Sequence, residues 1–129
     1  MTTGYNVLLR NAQLDAITAA IGNAGTLKIY DGVRPATGGA VTNLLATFTL
    51  GTPFAPASAA GVLSPNLPAN TTGTAAGNAT WVRVSTSGGT QEIDGSVGTA
   101  GSDLNLNTIA ISIGLALSVT SFSISRGNA

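Results

Sequence analysis

A mainly β domain with one N-terminal α-helix is the fold class this sequence predicts, built as an antiparallel β-sandwich or jelly roll. Three observations predict it. Apolar residues recur at helical spacing only once, over residues 6–22. After that the period drops to two, in about seven to nine short runs. Clusters of Gly, Ser, Thr, Asn and Pro separate those runs, as turns separate the strands of sandwiches. At 129 residues the chain fits a single domain, 1–129, large enough to bury one core. No internal repeat divides it.

The helix comes first. Val7, Arg10, Leu14, Ile17 and Ile21 fall on one stripe, and Arg10 can lay its aliphatic stem along the apolar edge. Asn6 is placed to cap the N-terminus and Gly22 to end the helix, because glycine takes positive φ without steric cost. The β region then runs over about residues 26–126. Leu27 and Ile29 alternate with Thr26, Lys28 and Tyr30 up to Asp31-Gly32. A loop from Arg34-Pro35 to Gly38-Gly39 leads to a strand over 44–50, where Leu44, Ala46, Phe48 and Leu50 share a face. Residues 52–79 read as a Pro/Ala-rich arm or loop, since four of the five prolines lie there and proline cannot donate to a sheet ladder. Val62 and Leu63 fit a short strand within it.

Residues 80–86 read as a central strand, with Trp81 on one face and Val82 and Val84 on the other. Ser87-Gly88-Gly89-Thr90 supplies hairpin chemistry before a strand over 91–97. Leu104 and Leu106 share one phase, and Ile109, Ile111 and Ile113 the other, so the alternation slips at Asn107-Thr108. Past Gly114, Leu117 and Val119 lead to Phe122 and Ile124 with a second slip at Thr120-Ser121. Two slips suit a strongly twisted sandwich better than a flat sheet.

Charge is scarce. Five basic and five acidic residues cancel, and charged residues make up 8% of the chain, against about 25% in ordinary soluble domains. A neutral surface lacks the repulsion that keeps free copies apart, which suits a protein packed against copies of itself or a larger assembly. Arg10, Lys28, Arg34, Arg83 and Arg126 stand singly, so no basic stripe offers phosphates a partner, and nucleic acid is not expected. No apolar run approaches the roughly 18 residues of a membrane span. No basic leader with a hydrophobic stretch opens the chain, so cytoplasmic synthesis is expected.

The residues that carry catalysis are sparse. There is no His and no Cys, which removes the usual general base, the thiol nucleophile, disulfides and most transition-metal ligands. No enzyme, cofactor, metal or small-molecule substrate is expected. Glu92 and Asp94 lie on one face of one strand and cannot flank a glycosidic bond, so a solvated strand face is their expected role. Asp103-Leu104-Asn105-Leu106-Asn107 imitates the start of an EF-hand, but Thr108 and Gly114 occupy the positions that need Gly and Glu. The sequons at Asn70 and Asn78 are chance matches in Thr-rich sequence. The glycine pairs form no phosphate loop. Trp81, the only tryptophan, reads as core or a subunit contact before a sugar platform.

A family resemblance joins these segments. Leu8-Leu9-Arg10-Asn11-Ala12-Gln13-Leu14-Asp15-Ala16-Ile17 resembles the opening of small virion proteins of tailed bacteriophages. So does Gly25-Thr26-Leu27-Lys28-Ile29-Tyr30-Asp31-Gly32-Val33-Arg34-Pro35, against the pattern G-x-L-x-I-Y-x-G-x-x-P. The run Thr80-Trp81-Val82-Arg83-Val84, the segments 94–99 and 102–106, and the closing Val119-Thr120-Ser121-Phe122-Ser123-Ile124 are similar to that family too. Only the Pro/Ala-rich stretch after Phe54 stands apart. The resemblance implies a structural particle component, commonly a capsid cement or decoration protein on the capsid exterior. Its partners would be the major capsid protein and copies of itself, as dimer or trimer. It carries over no catalytic residue.

A tail, baseplate or head–tail connector component is the alternative. A carbohydrate- or receptor-binding module is a third reading, against which the 5% aromatic content counts. Under the cement reading, the segment 52–70 is expected to reach a neighbour as an arm, because prolines lower the entropy cost of ordering an extended chain. Its contact residues would be Pro53, Phe54, Pro56, Val62, Leu63, Pro65 and Pro68. Deleting residues 53–68 is then expected to leave a folded domain.

Overall fold

The computed structural model describes residues 4–125, the side chains of Gln91 and Glu92 excepted. Residue 126, the expected end of the β region, lies outside them. Helix α1 spans Val7–Ile21. Asn6 is extended and its side-chain oxygen accepts from the Leu9 N–H at 3.0 Å. Gly22 ends the helix at φ 69°, its N–H donating to Thr18 O at 3.1 Å. The buried stripe is shorter than its spacing predicts: Leu14 and Ile21 are buried, whereas Val7 is exposed.

The molecule is mainly β, and a curled six-stranded sheet organises it. The strands are β1 (Thr26–Tyr30), β2 (Leu44–Thr49), β3 (Val62–Leu63), β4 (Thr71–Thr72), β5 (Gly77–Asn78) and β6 (Trp81–Ser85). They continue with β7 (Gln91–Gly98), β8 (Leu104–Leu106), β9 (Ala110–Ile111), β10 (Ala116–Leu117), β11 (Val119–Phe122) and β12 (Ile124–Ser125). The sheet order is β11-β8-β7-β6-β1-β2, and β10-β4, β12-β3 and β5-β9 pair as two-stranded ribbons. The hairpin turn closes as its residues require: Gly89 sits at φ 91°, and the Thr86 N–H donates to Thr90 O at 2.8 Å.

Register assigns the two sheet faces. Leu27 lies between Phe48 and Val84, and Ile29 between Ala46 and Val82, so these side chains share the inner face with Ile93 and Gly95. All but Ile93 and Gly95 belong to the fully buried apolar core, which Leu14 and Ile21 of α1, Phe54, Leu63, Leu104, Leu106, Leu117 and Phe122 complete. Each such side chain contributes about 1.5–3 kcal/mol on burial. Packing is close where backbone meets backbone. A Cβ on Gly25 would stand 2.6 Å from Ser85 O, and one on Gly73 would stand 2.3 Å from Ser112 O.

Four features differ from the pattern the sequence predicts. A bulge opposite Ile29–Tyr30 skips Leu45, so Leu44 turns out to solvent and Leu45 is fully buried. Ile113 is 77% exposed at the tip of the turn before Gly114, because β9 ends two residues earlier. The sheet is not wholly antiparallel: β7 and β8 run parallel, pairing Val97 with Leu104 and Gly98 with Asn105. Parallel neighbours ordinarily need a crossover of a dozen or more residues, and here only residues 99–103 intervene. Side chains hold that short turn. The Ser96 N–H donates to Asp103 Oδ2 at 2.9 Å, and the Asp103 N–H donates to Ser96 Oγ at 3.1 Å. The Asn105 amide nitrogen donates to Ser102 O and to Ser121 Oγ.

The fourth difference concerns residues 52–70, which fold back onto the body instead of extending as an arm. The Ser58 N–H donates to Asp15 Oδ1 at 2.8 Å and Ser58 Oγ to Asn11 O at 2.9 Å. The Gly61 N–H donates to Asn11 Oδ1 at 3.0 Å, and Asn66 bridges back to Pro53 and Phe54. Phe54 meets Phe122 edge to face at 6.2 Å. This stretch is a packed loop that supplies core side chains.

Candidate functional site

The expected contact residues divide by burial. Phe54 and Leu63 are core side chains, and Pro65 and Pro68 are buried as well, so these four are not available to a neighbour. Their apolar surface is spent inside the chain. Pro53, Pro56 and Val62 remain on the surface. Deleting residues 53–68 would therefore remove part of the core, not a free arm.

Carboxylates show what chemistry the surface offers. Asp15 holds Ser58, and that hydrogen bond keeps its carboxyl below the usual range. Asp31 accepts from the Asn43 N–H and side-chain amide at 3.1 and 3.2 Å. Asp103 fastens the β7–β8 turn. Asp94, expected on a solvated face, is instead buried with Arg83: their side chains are 2% and 7% exposed. Arg83 Nε and Nη2 donate to its two oxygens at 2.7 and 2.9 Å. This bidentate pair holds the Asp94 carboxyl below its usual range, and the Gly38 N–H adds to the effect. Each described aspartate is thus engaged in holding the fold together. Among the described residues no group of three or more His, Cys, Asp or Glu could hold a metal. No described helix is long and apolar enough to cross a membrane.

Above the Arg83–Asp94 pair lies an aromatic stack. Tyr30 and Trp81 are parallel with centroids 4.4 Å apart, and the Arg83 guanidinium sits 5.1 Å from the Trp81 ring centre. Trp81 is fully buried, and its indole N–H donates to Asp31 O at 3.1 Å and Thr42 Oγ1 at 2.9 Å. Burial pushes the Tyr30 hydroxyl pKa up. With Tyr30 stacked on it and Arg83 alongside, Trp81 is a core residue here rather than a platform for a sugar ring.

Exposed apolar side chains gather where β1 ends and β2 and β6 begin. Val33, Val41 and Leu44 lie in or beside the β1–β2 connection, at 87%, 51% and 37% exposure. Hydrogen bonds bring Ile113 to the same end: Gly114 N–H donates to Gly73 O, and the next residue, Thr74, donates to Leu45 O. Val7, Leu8 and Leu9 form a second exposed group on the first turn of α1. Two cavities of about 340 and 350 Å³ flank Ile124–Ser125, one against Val82, Ile93 and Phe122, the other against Leu14 and Ile17. Asp94 and Asp103 also line the first, and each is hydrogen-bonded within the fold, to Arg83 and to the Ser96 N–H.

Sequence reasoning missed the Arg83–Asp94 pair as a buried unit. Its one available signal was parity, since both residues occupy the Trp81 face of their neighbouring strands. No family model, curated protein or solved structure matches this chain.

Proposed function

We infer that this chain is a structural subunit of a tailed-phage particle, binding the outside of the capsid as a cement or decoration protein. The observation that carries this reading is a surface poor in charge and set with exposed apolar side chains, Val33, Val41, Leu44 and Ile113 at one end of the sheet. Such a surface gains by contact with neighbours, because little charge has to be stripped of water. The described carboxylates, each engaged in a structural hydrogen bond, give no competing catalytic reading. The likeness of the N-terminal, Trp81 and C-terminal segments to small virion proteins supports the same role.

In this reading the six-stranded sheet is one layer of a sandwich-like shell domain, and the helix and ribbons supply the other. The partners are the major capsid protein and further copies of the chain. A stable contact with either takes about 1,200–2,000 Å² in total. Modest contacts suffice when each copy bridges several neighbours, since later contacts form at high effective concentration. Reconstruction of purified particles by electron microscopy tests the proposal. Density for this chain at icosahedrally repeated positions is the expected result. Density confined to the tail would replace the capsid role with the tail, baseplate or connector role, and absence from particles would end both.

A further inference from the structure

Residues 32–42 cross the outer face of the sheet without contributing to the core. Their neck is closed by Asp31 and Asn43. The Asp31 N–H donates to Asn43 O at 3.2 Å, and Asn43 returns bonds to both Asp31 carboxylate oxygens at 3.1 and 3.2 Å. A surface loop with joined ends and roughly 6–16 residues is an Ω-loop, a compact form that often carries function. No residue from 32 to 42 is buried. The groups beneath it are: Trp81 is 0% and Tyr30 4% exposed.

Polar contacts fasten this loop. The Gly38 N–H donates to Asp94 Oδ2 at 3.1 Å, and Arg83 Nη2 to Gly39 O at 2.9 Å. Trp81 Nε1 donates to Thr42 Oγ1 at 2.9 Å, and Thr80 Oγ1 to Gly32 O at 2.5 Å. We propose that residues 32–42 are a lid that opens as a unit on an intact sheet and uncovers the Tyr30–Trp81 stack, with the Arg83–Asp94 pair as its catch. The proposal is independent of any role in a particle. Segments with few buried apolar side chains open at lower free energy than the core beneath them. Water can replace the lid's hydrogen bonds on opening. The indole N–H keeps Asp31 O, which belongs to the neck and stays in place.

The catch depends on the charge of Asp94. The groups facing it are Arg83 on β6, Arg34 and the Gly38 N–H on the lid, and Tyr30 on β1. Lys28 lies opposite Arg83 in register, and Glu92 is two positions along β7. Arg83, the Gly38 N–H and Arg34 hold the carboxyl below its usual range, so the catch is closed at neutral pH and released only in acid.

Hydrogen exchange and Trp81 fluorescence on the full chain test this. At pH 7 the Gly38 amide, whose acceptor Asp94 stays on the sheet, should exchange at least ~100-fold faster than the amides of Ile29 and Val82, with little denaturant dependence. Equal rates would mean that the loop leaves only when the whole sheet unfolds, and would overturn the proposal. As pH falls below the ordinary carboxylate range, acrylamide quenching of Trp81 should rise before the far-ultraviolet β signal is lost. Asp94→Asn should raise quenching several-fold at pH 7 with that signal intact. Quenching that rises only together with loss of the β signal would also overturn it, and the unsubstituted chain decides this even if the variant does not fold.

Discussion

The central sheet is closed on its two faces in different ways. The inner face is apolar, and Leu27, Ile29, Phe48, Val82 and Val84 meet the helix and ribbons across it. The outer face carries an aromatic stack, a bidentate ion pair and an exposed loop fastened by hydrogen bonds. Both bury their side chains, yet the forces differ. Inner-face burial is non-directional and tolerates any side chain of similar volume. Outer-face burial depends on geometry, because a charge buried without its partner costs more than the pair contributes. One face therefore fails by losing volume, the other by losing a partner.

The largest effect is expected on the inner face. Phe48, 1% exposed between β1 and the core, becomes a cavity in Phe48→Ala. A loss of about 3–5 kcal/mol follows, as for other buried aromatics, and urea unfolding should show a lowered midpoint with one cooperative transition. Asp94→Ala should approach the same size, roughly 3 kcal/mol or more, because Arg83 is left buried and unpaired. The double variant Arg83→Met with Asp94→Leu sharpens the contrast. Removing both charges should recover most of that loss, to within about 1 kcal/mol of the original. If the double variant is as unstable as Asp94→Ala, the outer face is held by shape rather than by charge pairing.

This contrast also explains what could be read from the sequence. Residues whose side chains choose a face by hydrophobicity alone were legible: the helix from Asn6 to Gly22, β1, β6, the Gly88-Gly89 hairpin and the slip near Thr120, where Val119 and Ser121 shift register. Features set by partners distant in sequence were not. Leu45 turns inward because a bulge opposite Tyr30 demands it. Residues 52–70 fold back because Asn11 and Asp15 on the helix offer acceptors to Ser58 and Gly61. Proline content alone could not distinguish that from an extended arm. Asp94 looked solvated because its charge says nothing about Arg83 across the strand. Of the expected contact residues, Pro53, Pro56 and Val62 are exposed, and composition could not anticipate that Phe54, Leu63, Pro65 and Pro68 would be buried.

Acid should separate the faces more gently. Asp94 is held below the usual carboxylate range by Arg83, and Asp15 by Ser58. In the unfolded chain both bind a proton at higher pH than in the folded one. Their contribution is therefore full above an unfolded value of about 3.9 and fades as pH falls through the lower folded values. With no histidine present, urea midpoints should be level between about pH 5 and 8 and drop below about pH 4. In the Arg83→Met, Asp94→Leu variant the acid drop should shrink, because Asp15 alone is left of the two. An undiminished drop would assign acid sensitivity elsewhere.

The smallest effect is expected at the rim between the loop 32–42 and the sheet. Thr42→Val removes the hydroxyl that accepts from Trp81 Nε1 and donates to Asp31 O, while keeping the β-branched shape. The indole N–H is not orphaned, since Asp31 O remains at 3.1 Å. Two hydrogen bonds are lost, but the indole N–H and Asp31 O still bond each other, so the cost should be about 1–3 kcal/mol, without the larger penalty of an unsatisfied buried group. Urea midpoints measure the loss, and the indole N–H resonance should shift while the inner-face methyl resonances of Leu27 and Val84 stay in place. A loss as large as that of Phe48→Ala would mean that the rim is continuous with the core, and that the two faces are one packing unit after all.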